Sequence, residues 1–243
     1  LIAAGQVQVD NTSWRLVEFN RKFPVPDEEY QKQTNADVER LTVIRGLRSH
    51  AKELAKYFGK LNSLTTTDAT ERTSTSIDGV VNNLTVLSTT LRASTPEAFS
   101  SLPPLAEIVV DRRIRKILRE ELEKRKDTIR EELRVQEVIL NVLKKDIAHV
   151  LALSKNIRER TLILEPLQTG SPLAKPEEWV EKRRKVMYLQ EQVEELSAAQ
   201  NIACNMTDTF NSLLSGNMDS LTRINMLLDD IEDLSTIADA IKS

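Results

Sequence analysis

The sequence predicts an all-α protein, an elongated antiparallel helical bundle in which two very long helices form a coiled-coil-like hairpin beside a shorter N-terminal helical hairpin. Of the 243 residues, 40% are hydrophobic and 29% are charged, whereas only 4% are aromatic and 6 are glycines. This composition is typical of long helices and unusual for a β-sandwich or barrel. Residues 105–165 contain no proline, and neither does the stretch 176–242 after Pro176 itself. Apolar residues recur in both at steps of three and four, as on the buried side of a helix.

Residues 1–36 are predicted to form an N-terminal arm. Pro24 and Pro26 favour an extended backbone, because proline fixes its own φ angle and disfavours a helical conformation in the preceding residue. A short helix that contains Trp14 and Phe19 is expected to interrupt the arm and to dock on the bundle.

Residues 37–243 are predicted to form a single helical bundle domain, which begins with a short helical hairpin over residues 37–94. Thr34 or Asn35 is expected to cap its first helix. The polar stretch 65–68 ends that helix and offers a cap for the second, so the two helices should run antiparallel. The first helix carries a heptad-like apolar seam: Val38, Leu41, Ile44, Leu47, Ala51, Leu54, Phe58 and Leu61.

The first very long helix is predicted over residues 105–165, between the prolines that end at Pro104 and the stop at Pro166. Its two halves differ in character. Between Asp111 and Arg134 charges of both signs alternate, and the few apolar positions give a narrow seam: Leu118, Leu122, Ile129 and Leu133. The second half has a broad apolar face, which we expect more than one helix to cover: Ile139, Leu140, Leu143, Ile147, Val150, Leu151, Leu153 and Ile157.

The second very long helix is predicted over residues 176–242. Its apolar residues follow a helical period: Val193, Leu196, Ala203, Phe210, Leu214, Leu221, Ile224, Leu228, Ile231, Ala238 and Ile241. An alternative is that this helix breaks near Gly216, since a glycine within a helix costs about 1 kcal/mol relative to alanine and permits a break without requiring one. The position of the short hairpin along the long helices stays open.

Charge and hydropathy exclude several classes of partner. The formal net charge of −3 removes the global attraction that a nucleic-acid-binding protein normally shows, so no nucleic-acid partner is predicted. No apolar run approaches the roughly 20 residues that span a bilayer, so no integral membrane segment is predicted.

Small residues near Leu1 suit the end of a cleaved export signal, which favours a bacterial periplasm or cell envelope, with the cytoplasm as the alternative.

No catalytic, cofactor or metal site is predicted. His50 with Glu53 and Asp146 with His149 have the spacing used by helical metal sites, but two histidines are too few for a di-metal bundle. Both histidines are therefore expected at the surface or on a helix flank. Cys204, the one cysteine, is expected to be a small buried residue. The basic runs 112–116 and 181–185 are expected to be solvated helix faces.

We therefore expect a non-enzymatic scaffold or adaptor that binds a protein partner, or a second copy of itself, through long helix faces. The residues proposed to bind the partner are the narrow seam: Leu118, Leu122, Ile129 and Leu133. Replacing two of them with Asp is expected to abolish association and to leave helicity intact. One alternative is a carrier of a hydrophobic small molecule lined by residues such as Leu54, Phe58 and Phe210. Another is a peripheral membrane-surface protein that uses its basic helix starts.

Overall fold

The computed structural model describes residues 2–66, 71–168, 172–189, 191–216 and 219–240, with side chains from residue 9 onward except at 66, 71–75, 191–193, 195 and 235–240. This part of the chain contains no β-strand, and 85% of the protein is helical. The all-α class and the helical-bundle architecture are therefore confirmed.

The first helix, α1, spans Ile2–Asn20 and is longer than the short helix expected around Trp14 and Phe19. Its inner side includes polar residues. Asn11 and Thr12 are buried, and the Thr12 hydroxyl donates to the Asp37 carboxylate at 2.6 Å. Because hydrophobic periodicity does not register a helix that buries polar side chains, the sequence pattern missed its length.

The second helix, α2, spans Asp27–Thr66 and begins earlier than predicted. Its first turn carries three acidic residues directly after Pro26, where they interact favourably with the positive end of the helix dipole. Thr34 does not cap the helix. Its hydroxyl donates to the carbonyl of Tyr30 at 2.9 Å, inside the helix. The cap predicted at Thr34 or Asn35 is therefore wrong, whereas the helix end at Thr66 agrees with the predicted break.

Helix α3, Glu71–Ser94, runs antiparallel to α2, as predicted for the short hairpin. Asn83 donates to Glu53 at 3.5 Å, and the side chain of Leu91 lies against Gly46 further back along α2. A single helical turn, α4, follows at Pro96–Ser100.

The next helix, α5, spans Lys116–Arg158, so the predicted start at residue 105 is wrong. Residues 102–111 are non-helical and rich in proline and β-branched residues. The Asp111 N–H donates to the carbonyl of Leu214 at 2.8 Å, and Val110 and Ile114 insert their side chains into the core. This hydrogen bond to a distant residue and the buried apolar side chains stabilise a non-helical conformation. The local sequence pattern alone had predicted a helix here.

A π-helical stretch, Glu159–Leu164, continues α5 and leads into α6, Glu165–Gln168. The Glu165 N–H bonds to the carbonyl of Arg160, five residues earlier. The wider turn directly precedes Pro166, which lacks an N–H and clashes inside a regular α-helix. Pro166 therefore changes the helix type and does not end the helix where the sequence predicted.

The C-terminal third is not one helix, so the prediction of a continuous helix over residues 176–242 is wrong. It contains α7 at Pro176–Tyr188, α8 at Glu191–Leu214 and α9 at Ser220–Ala240. The break near Gly216 that the sequence left open is confirmed. Gly216 has φ +67°, a left-handed conformation that glycine adopts without steric cost.

The helices form two compact units. Unit 1 comprises Leu1–Ile44, Leu143–Ser197 and Ala238–Ser243, and unit 2 comprises Arg45–Val142 and Ala198–Ile237. Helices α2, α5, α8 and α9 each contribute residues to both units. The division of the chain into an arm of residues 1–36 and one bundle domain of residues 37–243 stays a prediction.

In unit 2, three helices surround the charged half of α5. Helix α8 runs antiparallel to it, with Gln200 at 3.4 Å from Asn141 and Arg130 at 3.1 Å from Asn211. On its other sides, α5 contacts two more helices. Gln136 donates to the Leu47 carbonyl of α2, and Glu131 forms an ion pair with Arg92 of α3 at 2.8 Å. The short hairpin α2–α3 thus packs beside the charged half of α5, which places an element that the sequence left open.

The predicted seam of the C-terminal third is largely buried. In α8 and α9 the buried members are Leu196, Ala203, Phe210, Leu214, Ile224 and Ile231, whereas Leu221 is exposed. The side chains of Val193, Ala238 and Ile241 lie outside the described residues. Phe210 meets Phe58 with their ring centroids 6.0 Å apart, so aromatic contacts join α8 to α2 in this core.

Candidate protein-binding surfaces

The four residues predicted to bind a partner lie in the interior of unit 2. Leu118, Leu122 and Ile129 are 0% exposed and Leu133 is 1% exposed. They fill the core between α5 and the helices that surround it. A partner would reach these side chains only if unit 2 opened, and their role in partner binding stays a prediction.

Exposed apolar side chains concentrate instead in unit 1. The larger ones there are Val17, Phe19, Phe23, Tyr30, Val38, Leu153, Leu164, Leu167, Val180, Met187 and Tyr188. The described part of unit 2 exposes fewer: Val86, Val109, Leu221 and Met226. Scattered exposed apolar residues are ordinary, but contiguous ones mark binding sites.

Several of these residues form a groove on unit 1, which we call the Phe19 groove. It has a volume of about 410 Å³ and is lined by Arg15, Leu16, Glu18, Phe19, Lys22, Phe23, Glu29, Gln33, Leu153 and Ile157. Helices α1, α2 and α5 and the link after α1 supply its walls. The rings of Phe19 and Phe23 stand 5.9 Å apart and offer the largest exposed apolar area of the groove. The groove thus combines an apolar centre with a rim of both charges.

Ion pairs fix the end of α1 that carries the groove. Arg21 donates to Glu165 at 2.8 Å and to the Thr161 hydroxyl at 2.9 Å, while Arg160 donates to Glu18 at 3.0 Å. The Arg21 guanidinium holds the pKa of Glu165 below its ordinary value. Exposed pairs of this kind contribute little stability each, but together they set the orientation of α1 against the π-helical stretch.

A second exposed surface lies on α7. A hollow of about 250 Å³, the α7 hollow, is lined by Trp179, Val180, Arg183, Arg184, Met187 and Tyr188. Helix α7 is anchored by Val186, which is buried, and by Trp179 at the edge of the hollow, whose indole N–H donates to the carbonyl of Ile163 at 3.2 Å. The basic run 181–185, expected to be a solvated face, therefore adjoins exposed apolar side chains.

The charged half of α5 buries a polar network with His50. Gln136 Nε2 lies 3.1 Å from the Leu47 carbonyl and 2.8 Å from His50 Nδ1. Because a carbonyl only accepts, the amide nitrogen faces both groups, and Nδ1 is the acceptor. The proton of the neutral ring is then on Nε2, which donates to Glu132 at 2.8 Å.

His50 is therefore buried, and the prediction that it lies at the surface is wrong. It is 0% exposed, and the carboxylate beside it is Glu132, 82 positions away in sequence. No spacing rule along one helix could find this pair. His149 and Asp146 are both exposed, as predicted. Solvent does not reach the His50 ring, so the network stabilises the core and offers no access to a substrate.

A second buried cluster lies earlier on α5, with Arg125 about two helical turns before Glu132. Arg125 pairs with Glu121 and with Asp78 of α3, and Lys124 reaches Asp78 at 3.2 Å. Burial raises the pKa of Glu121, whereas Arg125 and Lys124 lower the pKa of Asp78. Burial also raises the pKa of the Tyr57 phenol. The alternating charged residues of this half of α5 are thus partly in the interior and are not all exposed to solvent.

The remaining candidate sites have these positions. Cys204 is half-buried. Across the residues with described side chains, no group of three His, Cys, Asp or Glu side chains is arranged to hold a metal ion. Within the described residues, no helix has the length and apolar character needed to cross a bilayer. The carrier residues Leu54, Phe58 and Phe210 are fully buried, and the last two pack against each other.

Comparison with known proteins finds no matching family model, no matching curated protein and no matching solved structure.

Proposed function

We propose that the protein is a non-enzymatic helical scaffold or adaptor, and that it binds a protein partner through the exposed apolar side chains of unit 1. The observation that carries this proposal is the Phe19 groove. An apolar centre surrounded by a polar rim is the usual anatomy of a protein interface. The residues that sequence patterning favoured for this role are interior, so the groove replaces them as the contact surface.

Large aromatic side chains are the main reason for choosing this groove. Phe19 and Phe23 are 44% and 61% exposed, and side chains of this size supply most of the binding energy when a partner covers them. The rim carries Arg15 and Lys22 beside Glu18 and Glu29, so it has no strong net charge. A partner helix with apolar anchors and charges of both signs would be complementary to it.

We propose that the protein is non-enzymatic because of where its ionisable groups lie. The His50–Glu132 pair and the Glu121–Arg125 pair are both buried in unit 2, and the members of each pair lie within ion-pair distance of each other. Buried groups that neutralise one another contribute to the fold and to its specificity. A carrier of a small molecule stays the alternative, and it would require Leu54, Phe58 and Phe210 to move apart.

The test is differential capture of partners from cells that express the protein. Cross-linking followed by affinity purification compares the wild type with a Phe19→Ser/Phe23→Ser variant. Val86→Ser/Val109→Ser is the matched control, because it removes two exposed apolar side chains from unit 2. We expect a discrete partner with the wild type and the control, and about tenfold less with the groove variant.

Equal recovery of every captured protein by all three chains would contradict the proposal. Native mass spectrometry of the same samples addresses the carrier alternative. A small molecule that copurifies in stoichiometric amount with all three chains, without a protein partner, would favour the carrier.

A further inference from the structure

We infer that the α7 hollow is a second docking site and that its occupant is an acidic amphipathic helix of a protein partner. This inference rests on the proposed scaffold function and specifies the partner chemistry at a surface separate from the Phe19 groove.

The lining residues of the hollow lie along one side of α7. Val180, Arg183, Arg184, Met187 and Tyr188 have the spacing i, i+3, i+4, i+7 and i+8, which brings side chains together on one helix face. Val180, Met187 and Tyr188 are 49%, 59% and 53% exposed. An apolar strip therefore runs along this face with two guanidinium groups in its middle.

The two arginines differ from Lys175 and Lys185, which make close ion pairs. Lys185 pairs with Glu181 at 2.7 Å and Lys175 pairs with Glu178 at 2.6 Å. Among the described residues, no carboxylate lies within ion-pair distance of Arg183 or Arg184. Their charge is available to a ligand, and a planar guanidinium binds a carboxylate through two parallel hydrogen bonds.

A protein helix fits these features better than a lipid surface. The hollow is concave, so it receives side chains, whereas a membrane anchor has to project its apolar side chains into the lipid. A helix with apolar residues on one face and carboxylates beside them meets the strip and both arginines together.

The experiment uses Trp179 as the reporter, because it lines the hollow. In a Trp14→Phe background Trp179 is the one tryptophan of the chain. Two synthetic peptides are titrated at two salt concentrations: an amphipathic helix with leucines on one face and flanking glutamates, and the same peptide with lysines at the glutamate positions. We expect the acidic peptide to change Trp179 fluorescence, with weaker binding at high salt, and the basic peptide to bind at least about tenfold more weakly.

Three variants separate a specific site from a net-charge effect. Arg183→Glu/Arg184→Glu is expected to weaken binding of the acidic peptide at least about tenfold, whereas Arg183→Lys/Arg184→Lys should retain most of it. Lys32→Glu/Lys52→Glu changes the net charge equally at two exposed positions outside the hollow and should alter binding less than about twofold. Equal weakening by both Glu variants would overturn the inference.

Vesicles of phosphatidylserine and phosphatidylcholine form the other arm of the experiment. A Trp179 response to these vesicles, without one to the acidic peptide, would overturn the protein-helix occupant. No response to either probe would also overturn the site. Because the Phe19→Ser/Phe23→Ser variant leaves the α7 hollow intact, loss of capture through the groove and loss of peptide binding at α7 are separate results.

Discussion

The charged half of α5 lies in the core of unit 2, whereas the apolar half from Leu143 onward lies in unit 1, where more apolar side chains are exposed. In unit 2, Glu121, Arg125 and Glu132 are buried with partners from α2, α3 or α5 itself. In unit 1, Leu153 of the apolar half stays exposed at the Phe19 groove. Six of the eight apolar positions of the second half are nevertheless buried, so it is the charged half that sequence polarity alone would have misplaced at the surface.

The charged half of α5 shows that neighbouring helices, and not polarity alone, decide what a helix face can bury. Three helices enclose α5 in unit 2, so even its charged residues find partners and are removed from water. A buried charge is tolerated when hydrogen bonds and an opposite charge satisfy it. Apolar side chains that no neighbouring helix covers, such as Phe19 and Phe23, stay at the surface and are available to another protein.

The largest expected effect follows from an Asp placed in each environment. Leu122→Asp puts an unpaired carboxylate in the core of unit 2 and should lower the free energy of unfolding by about 4 kcal/mol or more. Val38→Asp, at an exposed apolar position of unit 1, should change it by less than about 0.5 kcal/mol. Urea denaturation followed by circular dichroism measures both. Retained stability with lost association for Leu122→Asp would support the sequence prediction for the narrow seam.

The next largest change in the free energy of unfolding is expected from the His50 network. His50→Leu leaves the Glu132 carboxylate buried without its partner and should cost about 3–5 kcal/mol. In His50→Leu/Glu132→Leu both polar groups are replaced by apolar ones, and most of that loss should be recovered. The free energy of unfolding in urea distinguishes the two variants. A double variant as unstable as the sum of the single ones would show that the pair is not coupled.

A smaller effect is expected from two glycines. Gly216→Ala forces a side chain into a left-handed conformation and against Asp111, and should cost about 1–3 kcal/mol. At Gly79, inside α3, a Cβ atom meets no described heavy atom within 4 Å, so Gly79→Ala should stabilise by up to about 1 kcal/mol. Thermal unfolding compares them. The same sign for both substitutions would contradict the assigned roles.

The smallest effect depends on pH. Burial, with Asp233 and Asp229 nearby, raises the pKa of Asp230 to about 6. The folded state then binds more protons than the unfolded state between an ordinary carboxyl pKa and about 6, so this group destabilises the fold increasingly as pH rises through that window. Asp230→Asn should stabilise by about 1 kcal/mol at pH 7.5, after allowance for solvent screening, and by almost nothing at pH 4. Unfolding in urea at both pH values measures the difference, and an equal effect at both would contradict it.

The fold class and much of the core were predictable because they depend on local pattern. Helical periods identified Leu47, Leu54 and Phe58 in α2 and Phe210 in α8 as interior positions. Composition excluded strands, and the polar stretch after Ser63 marked the end of α2. These signals depend on residues within one or two helical turns of each other, so they can be read from the sequence without knowledge of the tertiary contacts.

The features that sequence reasoning missed depend on distant partners. The start of α5 shifts because Asp111 bonds to Leu214, and α1 is long because Thr12 meets Asp37. His50 was assigned to the surface because its partner Glu132 lies on another helix. The Phe19 groove is formed by three helices and the link after α1, so the periodicity of a single helix does not predict it. Phe19 and Phe23 close together beside charged residues were the one signal of it in the sequence.

Site-specific photo-cross-linking tests the central claim most directly. A photoreactive phenylalanine analogue replaces Phe23 in the groove of unit 1 in one chain, and Val86 on the surface of unit 2 in another. After irradiation in cells, the account predicts a discrete protein adduct from position 23 and none from position 86. An adduct of equal yield from position 86, or none from position 23, would contradict it.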